Sequence, residues 1–233
     1  MILDVKRVEK KYMTDPVHAR IIKQRLAVYM KEDEHNGRDG YVVRSVYFDS
    51  LYNKDYFQKE DGVDDRKKIR LRIYDPDADF AKLELKEKRN GSQRKRSLVL
   101  TREEAESLIK GKYQFLKENK DPLSQNLYLI MQMDVYRPKC MVEYDRFAYY
   151  VPDNNTRITF DSNLRGSESS FSLFDKNARL YPLAKPDEIT LEVKYDGFLI
   201  SNIKKALSYK TGIQTSFSKY GRSRMLLRQG GGM

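Results

Sequence analysis

The fold is decided by two runs of sequence, Arg70-Leu71-Arg72-Ile73-Tyr74 and Glu84-Leu85-Lys86-Glu87-Lys88, along which ionic and apolar residues alternate. Successive side chains of a strand point to opposite faces, so each run predicts a strand with one ionic and one apolar face. Asn90-Gly91 follows the second run and is the strongest short hairpin signal, since both residues tolerate a positive φ. The sequence therefore predicts an antiparallel meander, and in its third run Arg94 and Arg96 share one parity.

The ionic face of this meander allows two interpretations. A solvated charged face on a half-exposed antiparallel sheet is the simpler one. Cationic side chains on neighbouring strands repel each other unless an anion lies among them, and this favours a surface that binds polyanions. The same alternation recurs at residues 7–11, 157–161 and 190–195, so we expect the ionic face to extend over several strands.

Composition restricts the partners. Lys and Arg number 45 against 34 Asp and Glu in 233 residues, which gives a net charge of +11. A protein of this charge is expected to bind acidic partners such as nucleotides, polyphosphate, nucleic acid or anionic membranes. The charges lie in alternating strands and aromatic residues make up 12% of the chain, so we expect a packed β-rich domain and exclude a disordered basic tail.

Scarce residue types exclude several kinds of site. The single cysteine, Cys140, rules out an intrachain disulfide and a cysteine zinc site, and two histidines rule out a histidine-rich metal site.

The sequence shows no signal peptide and no apolar run near the ~20 residues of a membrane span, which predicts a cytoplasmic protein. It also shows no internal repeat or linker, so we expect one domain over residues 1–233 with a tail at 230–233.

Roughly eight strands with one ionic and one apolar parity, together with the helices between them, predict an α+β fold. If the sheet closes into a β-barrel with helices packed outside, the apolar parity would face the helices and the ionic parity would line a tunnel. Partly desolvated Arg and Lys side chains are costly without a counter-anion, so such a tunnel suits a polyanion. Carboxylates among the cations would lower that cost and could hold Mg²⁺ or Mn²⁺, which prefer oxygen ligands. These interleaved carboxylates are Glu9, Glu84, Glu143 and Glu192.

Eight short motifs appear in order along the chain and match a known family. They are Arg7-x-Glu9-x-Lys11-Tyr12, Ser45-Val46-Tyr47-Phe48-Asp49, Arg70-Leu71-Arg72-x-Tyr74, Leu83-Glu84-x-Lys86-x-Lys88, Glu143-Tyr144-x-Arg146, Arg157-Ile158-Thr159-Phe160-Asp161, Leu191-Glu192-Val193-Lys194 and Ser218-Lys219-Tyr220. Together they resemble the VTC domain, the polyphosphate polymerase module of the vacuolar transporter chaperone complex and its bacterial relatives. That domain belongs to the triphosphate tunnel metalloenzymes, alongside the CYTH enzymes. One motif alone is weak, but eight in order across essentially the whole chain are specific.

The resemblance implies an eight-stranded antiparallel tunnel that binds a triphosphate, uses Mn²⁺ or Mg²⁺, and passes the γ-phosphate of ATP to a growing polyphosphate chain. The implied phosphate-binding residues are Lys11, Arg70, Arg72, Lys86, Arg146, Arg157 and Lys219, of which Arg70, Arg72, Lys86 and Lys219 are the catalytic ones. Further implied tunnel residues are Lys88, Arg94, Arg96, Lys194 and Ser218. Glu192 is the implied metal ligand and Glu9 a second candidate, and the alternative for both is a counter-ion to a nearby lysine or arginine.

The partners that the resemblance implies are ATP and inorganic polyphosphate or triphosphate. The chain departs from the family near Ser216, where a further lysine is expected, and it has neither a regulatory SPX module nor a membrane segment, so any membrane partner would be encoded separately. Two other functions stay open. One is a tripolyphosphatase or nucleoside triphosphatase with water as the acceptor, and the other is a non-catalytic binder of polyphosphate or nucleic acid. Nucleic acid is disfavoured because the ionic parity lacks the aromatic residues that base stacking needs.

Overall fold

The computed structural model describes residues 7–209 and 214–229, which form two compact units. Unit 1 falls within Met1–Val42, Tyr144–Leu164 and Ala184–Phe217, and unit 2 within Val43–Glu143, Arg165–Leu183 and Ser218–Met233. The expectation of one domain over residues 1–233 stays a prediction, and its tail, residues 230–233, lies outside the described residues.

Long strands dominate the described part of the chain. The ten strands there are β1 (Arg7–Thr14), β2 (Lys31–Glu32), β3 (Tyr41–Asp49), β4 (Arg66–Ile73), β5 (Phe80–Arg89), β6 (Ser92–Thr101), β7 (Arg137–Val151), β8 (Thr156–Ser167), β9 (Tyr181–Pro182) and β10 (Ile189–Asp196). The helices there are α1 (Pro16–Leu26), α2 (Lys54–Glu60), α3 (Arg102–Ile109), α4 (Phe115–Glu118), α5 (Pro122–Met133), α6 (Ser201–Ala206) and α7 (Lys219–Gln229). Because β2 and β9 have two residues each, eight long strands are left among the described residues, which is the number predicted.

Unit 2 contains the predicted meander. β4 pairs with β5 and β5 with β6, both antiparallel, and β3 pairs with β4. The turn between β5 and β6 consists of Asn90 and Gly91, whose φ angles are 47° and 77°. Both residues are thus left-handed, as a two-residue hairpin turn requires. The predicted Asn-Gly hairpin is confirmed.

The apolar face of the unit 2 meander packs against helices. Its buried members on β4, β5 and β6 are Ile69, Leu71, Ile73, Ala81, Leu83, Leu85, Leu98 and Leu100. α3 and α5 add Leu108 and Leu127 to the same core. α3 begins with a capping box, in which the Thr101 hydroxyl accepts from the backbone N–H of Glu104 at 3.2 Å and the Glu104 carboxylate accepts from the backbone N–H of Thr101 at 2.9 Å. Because helices cover the apolar parity, the ionic parity of these strands lies on the opposite face.

Unit 1 contains a second antiparallel group, in which β10 lies between β1 and β8. The apolar side chains of these strands, Val193 among them, pack against Ile22 of α1 and Ile203 of α6. α1 begins at Pro16, and the Asp15 carboxylate caps it by accepting two backbone N–H groups of the first turn at 2.9 and 3.0 Å. The apolar and ionic parities are therefore separated in this unit as well.

α1 ends at Leu26, where the backbone N–H groups of Tyr29 and Met30 turn back to the Leu26 carbonyl at 2.9 and 2.8 Å. Gly212, a residue type that often follows a helix end, lies outside the described residues. Within the part of the chain that the structure describes, no helix is both long and apolar enough to cross a membrane.

Candidate functional site

Rows of cationic side chains occupy one face of the unit 2 meander. In the observed register Lys86 lies opposite both Lys68 and Lys95, and Arg66 lies opposite Lys88. We call this surface of β4, β5 and β6 the unit 2 ionic face, and its charged residues are Arg66, Lys68, Arg70, Arg72, Lys82, Glu84, Lys86, Lys88 and Lys95. Eight cations thus share this face with one carboxylate, Glu84. Since cations opposite each other across strands repel, the face favours an anionic ligand.

Glu84 is the buried centre of this face. Its carboxylate accepts hydrogen bonds from Arg70 Nε at 2.6 Å and Lys95 Nζ at 2.8 Å, and Arg72 Nη1 lies 4.0 Å away. Burial acts to raise the pKa of Glu84, but the three cations outweigh it and lower the pKa to about 2. Glu84 is therefore ionised at neutral pH and offsets only one of the eight positive charges.

β3 orients the two arginines of β4. Arg72 is only 7% exposed and donates from Nε to Ser45 Oγ at 3.2 Å, while Arg70 Nη1 donates to the Tyr47 hydroxyl at 3.2 Å. Ser45 and Tyr47 are the register partners of these arginines, so they share the ionic face. The expectation that the ionic parity lacks aromatic residues is thus wrong at Tyr47. Its ring is nevertheless buried and stacked on Tyr220, so it is closed to a nucleobase.

Arg94 and Arg96 lie on the apolar side of the meander, which corrects the expectation that they line the tunnel. They pair with Glu87 and Leu85, and Arg96 Nη2 donates to the Glu87 carboxylate at 2.8 Å. The physical reason is the two-residue turn, which pairs even-numbered residues of β5 with odd-numbered residues of β6. Lys95, which the sequence reasoning missed, therefore occupies the ionic face instead.

Glu143 also lies away from the ionic face. Its carboxylate accepts hydrogen bonds from Arg44 and, at 2.7 Å, from Arg165 Nε. Arg44 alternates with Ser45 along β3 and so shares the apolar face with Val46. Glu143 is thus a buried counter-ion on the apolar side, and the expectation that it lies among the tunnel cations is wrong.

The start of α7 brings Ser218 next to a unit 2 cation. Lys68 Nζ donates to Ser218 Oγ at 3.2 Å. Ser218 Oγ also accepts from the backbone N–H of Gly221 at 3.2 Å, so Ser218 caps α7. Lys219 is the first residue of α7 and is half-buried. Lys68 was not singled out from the sequence, although its shared parity with Arg70 was visible there.

β1, β10 and β8 form a second ionic face. In the register Lys194 lies opposite both Glu9 and Arg157, and Lys11 lies opposite Glu192. We call this surface the unit 1 ionic face, and with Arg146, which binds Asp161, its charged residues are Arg7, Glu9, Lys11, Arg146, Arg157, Asp161, Glu192, Lys194 and Asp196. Five cations face four carboxylates here, so this face is nearly balanced where the unit 2 ionic face is strongly positive.

Two carboxylates and two lysines meet on the unit 1 ionic face. Lys194 Nζ lies 2.8 Å from the Glu192 carboxylate and 3.9 Å from that of Glu9, and Lys11 Nζ lies 3.6 and 3.2 Å from the same two groups. Burial acts to raise the pKa of Glu192, but Lys194 and Lys11 outweigh it and hold that pKa well below its usual range. Burial likewise acts to lower the pKa of Lys11, but Glu192 and Glu9 outweigh it and raise that pKa. Glu192 and Lys11 therefore stay charged at neutral pH.

Carboxylates also hold two arginines of the unit 1 ionic face. Arg146 binds Asp161 with both Nε and Nη2, at 2.7 and 2.8 Å. Arg157 Nη2 donates to the Asp33 carboxylate at 2.6 Å and to the Tyr41 hydroxyl at 3.1 Å. Burial acts to lower the pKa of Arg146, but Asp161 outweighs it and raises that pKa. Both guanidinium groups are thus fixed in orientation, and an oriented guanidinium suits a phosphate ligand.

The family of the chain follows from its sequence over nearly its full length. Residues 6–228 match the sequence model of the VTC domain. The chain belongs to the VTC domain family. The resemblance found in the eight motifs is thereby confirmed. No curated protein sequence matches this VTC domain.

Two solved structures share the fold of the VTC domain. A proposed adenylate cyclase from Bacillus halodurans is 12% identical with a TM-score of 0.52, and the match covers 91% of this chain and 93% of that chain. A proposed adenylyl cyclase from Hippeastrum, described as having a dominant triphosphatase activity, is 12% identical with a TM-score of 0.52 and coverages of 97% and 96%. At this identity the likeness concerns the fold alone. The predicted fold class, α+β with an eight-stranded antiparallel β-barrel and helices outside, is confirmed.

The carboxylates of the unit 1 ionic face fit a hard divalent cation. Across residues 7–209 and 214–229, no three His, Cys, Asp or Glu side chains are grouped as a complete metal site. Mg²⁺ in phosphate-transfer sites, however, takes only one or two protein carboxylates and completes its shell with phosphate and water. Glu192 and Glu9 of the VTC domain supply such a pair, and both also act as counter-ions to Lys11 and Lys194.

Gly40 allows its own backbone to lie close to the backbone of Arg146, so replacing Gly40 should destabilise the VTC domain. Its φ is +101°, and a Cβ there would lie 2.2 Å from the Arg146 carbonyl oxygen. We expect Gly40→Ala to lower the free energy of unfolding by about 3 kcal/mol, because a backbone clash adds to the strain of a positive φ. Gly62→Ala is the control, since φ is +72° there but nothing lies within 4 Å, and about 1 kcal/mol is expected. Urea unfolding measures both, and equal losses would contradict the close approach.

Asp55 is a buried carboxyl of unit 2 with an altered titration. The Tyr136 hydroxyl donates to its carboxylate at 2.9 Å, and Lys67 Nζ lies 3.7 Å from it. Burial and the neighbouring Asp49 raise the pKa of Asp55 to about 7, against the opposite effects of Lys67 and Lys68. Near neutral pH, Asp55 therefore populates both its protonated and its ionised form.

Asp55→Asn is expected to flatten the pH dependence of stability. A carboxyl whose pKa is raised by folding stabilises fully below its unfolded pKa of about 3.9 and loses that contribution as the pH rises through about 7. The free energy of unfolding of the wild type should therefore fall from about pH 5 to pH 8, by at most ~1.4 kcal/mol per pH unit. Its melting temperature should fall over the same pH range. Asp77→Asn, at an exposed carboxylate, should keep the wild-type slope. Scanning calorimetry measures the three slopes, and a wild-type slope in Asp55→Asn would contradict this assignment.

Proposed function

We propose that this VTC domain is a metal-dependent polyphosphate polymerase, which transfers the γ-phosphate of ATP to a growing polyphosphate chain. The observation that carries the proposal is the charge of the unit 2 ionic face, on which eight cations lie with one carboxylate. Such a surplus repels itself and is relieved by a multivalent anion. Membership of the VTC domain family supports a phosphate chain as that anion.

Cations of each ionic face are proposed to bind phosphate groups of triphosphate or polyphosphate. On unit 2 the proposed ligands are Arg70, Arg72, Lys86, Lys88, Ser218 and Lys219, to which the observed register adds Lys68 and Lys95. On unit 1 they are Lys11, Arg146, Arg157 and Lys194. Arginine forks match the oxygens of a phosphate in pairs, while lysines act as point charges. A polymer of repeating phosphates suits a surface built from repeating cations.

The chemistry that this proposal asks of the protein is electrostatic. Phosphoryl transfer needs the donor and acceptor oxygens in line, and it needs the charge on the transferred group to be stabilised. Arg70, Arg72, Lys86 and Lys219 are the proposed residues for that stabilisation. Arg72 is the most buried cation of the unit 2 ionic face, so its charge is weakened least by water.

Glu192 and Glu9 are the proposed ligands of Mn²⁺ or Mg²⁺. When bound with triphosphate, such an ion would neutralise phosphate charge and help to orient the phosphates. Lys11 and Lys194 already neutralise the two carboxylates, so they would be free to turn towards phosphate once a cation takes their place. The proposed donor is ATP, and this favours a cytoplasmic location.

A second candidate function is a triphosphatase, in which water replaces the phosphate chain as the acceptor. It is supported by the fold shared with the Hippeastrum protein that is described as having a dominant triphosphatase activity. The same cations and carboxylates would serve this reaction, so the charge of the two faces does not separate the two functions. Only the products distinguish them.

Product analysis tests the proposal. The protein is incubated with ATP labelled at the γ-phosphate and with Mn²⁺, the products are resolved on a gel for long phosphate chains, and free phosphate is assayed in the same tubes. A ladder of chains together with ADP is expected, and a chelator should abolish it. Free phosphate without chains would overturn the polymerase in favour of the triphosphatase. Neither product, with triphosphate still bound, would overturn both in favour of a non-catalytic binder.

A further inference from the structure

Asp49 ends β3 as a fully buried carboxylate that is fixed by several donors. The backbone N–H groups of Ser50, Asp55 and Tyr56 donate to it at 2.7, 2.9 and 2.9 Å. A fourth hydrogen bond comes from the Tyr220 hydroxyl at 2.6 Å. Because three of the donors are backbone groups, the carboxylate cannot turn, and the position of the Tyr220 hydroxyl relative to β3 is set.

Tyr220 connects this fixed carboxylate to the unit 2 ionic face. Its ring stacks on Tyr47 with 5.2 Å between centroids and an interplanar angle of 24°. The Tyr47 hydroxyl accepts from Arg70 at 3.2 Å, and Lys68 Nζ lies 5.7 Å from the centre of the Tyr220 ring. Tyr220 is only 2% exposed, so both its ring and its hydroxyl are enclosed by these contacts.

The residues just before Tyr220 include two that we propose as phosphate ligands. Lys219 and Tyr220 begin the first turn of α7, which Ser218 caps, and Ser218 accepts a hydrogen bond from Lys68 at 3.2 Å. Lysine side chains and helix ends lose conformational entropy when a ligand orders them. A helix end that is fixed before the ligand arrives avoids much of that cost.

We propose that Asp49 and Tyr220 are positioning residues that hold the first turn of α7, and with it Lys219, next to the unit 2 ionic face. The proposal deepens the proposed function, because it rests on triphosphate being bound there. Neither residue is required to touch phosphate, and both act through Lys219. A bond that only stabilised the fold would change the melting temperature and leave the affinity for triphosphate unchanged.

Tyr220→Phe tests this proposal, since it removes the hydroxyl and keeps the stacked ring. Tyr136→Phe is the matched control, because it removes another buried hydroxyl that donates to a buried carboxylate, Asp55 at 2.9 Å, from a position outside α7. Calorimetry without metal measures the dissociation constant for inorganic triphosphate. We expect about tenfold weaker binding in Tyr220→Phe and less than about twofold change in Tyr136→Phe. Equal affinities in the two variants would overturn the proposal.

A double-mutant cycle with Lys219→Ala then identifies the route of the effect. If Tyr220 acts through Lys219, adding Tyr220→Phe to Lys219→Ala should weaken binding by less than about a further twofold. Full additivity of the two losses would overturn the positioning role. If Tyr220→Phe melts near the assay temperature, Asp49→Asn replaces it in the same cycle, because Asp49→Asn keeps the shape of the side chain. A wild-type protein that binds no triphosphate would instead reject the proposed function, before any variant is compared.

Discussion

Arg72→Ala is expected to weaken the binding of inorganic triphosphate about 100-fold, which corresponds to about 2–3 kcal/mol. Arg72 is 7% exposed, and its guanidinium is held by Ser45 at 3.2 Å and lies 4.0 Å from Glu84. A charge so placed is already desolvated and oriented, so a phosphate gains the interaction without ordering the side chain. Removing it also leaves Glu84 with fewer cations and thus makes the face less positive. Isothermal titration calorimetry at fixed ionic strength measures the change.

Two further variants separate this effect from a general loss of charge. Arg72→Lys keeps the charge and loses the two-pronged fork, so its affinity should fall between those of the wild type and Arg72→Ala. Arg102→Ala removes an equally charged but exposed side chain of α3, which pairs with Glu106 at 3.3 Å, and should change the affinity less than about twofold. A wild-type affinity for Arg72→Ala would mean that the unit 2 ionic face is not the triphosphate site.

Glu192→Gln is expected to lower turnover at least about a thousandfold while sparing the binding of triphosphate without metal. The substitution keeps the shape of the side chain but removes the more buried of the two carboxylates that fit a divalent cation. Lys11 and Lys194 lose a counter-ion at 3.6 and 2.8 Å, so metal-free anion binding should stay the same or become tighter. Initial rates at saturating Mn²⁺ and calorimetry with a chelator measure the two effects.

The control for Glu192→Gln is Glu87→Gln. Glu87 is also a partly buried carboxylate in an ion pair, with Arg96 at 2.8 Å, but it lies on the apolar side of the unit 2 meander. Its replacement should leave turnover unchanged after correction for any loss of folded protein. If turnover survives in Glu192→Gln, then Glu192 is only a counter-ion to lysine, which was the alternative interpretation of its role.

Local pattern was enough to predict the unit 2 meander. Alternation assigns each residue of a strand to a face, and the Asn90-Gly91 turn fixes how β5 meets β6. The same rule could have placed Lys95 on the ionic face and Arg94 and Arg96 on the apolar side, had the pairing been counted across the turn. The sequence therefore contains the information needed to place these three residues.

Pairings between distant parts of the chain could not be predicted in this way. Lys11 meets Glu192 because β1 pairs with β10, and no rule of local alternation sets the register of strands so far apart. The position of Glu143 also depends on a distant partner. Glu143 binds Arg44, a charged residue on the otherwise apolar face of β3. The bond between Asp49 and Tyr220 likewise depends on where α7 docks, which is a tertiary contact.

Lysine footprinting is the measurement that tests most directly whether each of the two ionic faces binds phosphate groups. The intact protein is acetylated briefly with and without inorganic triphosphate, and mass spectrometry gives the rate at each lysine. We predict that triphosphate slows the reaction of Lys86 on the unit 2 ionic face and Lys11 on the unit 1 ionic face. Exposed Lys110 and Lys204, at the end of α3 and in α6, should react at unchanged rates. Unchanged rates at Lys86 and Lys11, or equal slowing at all four lysines, would contradict a triphosphate site on these faces.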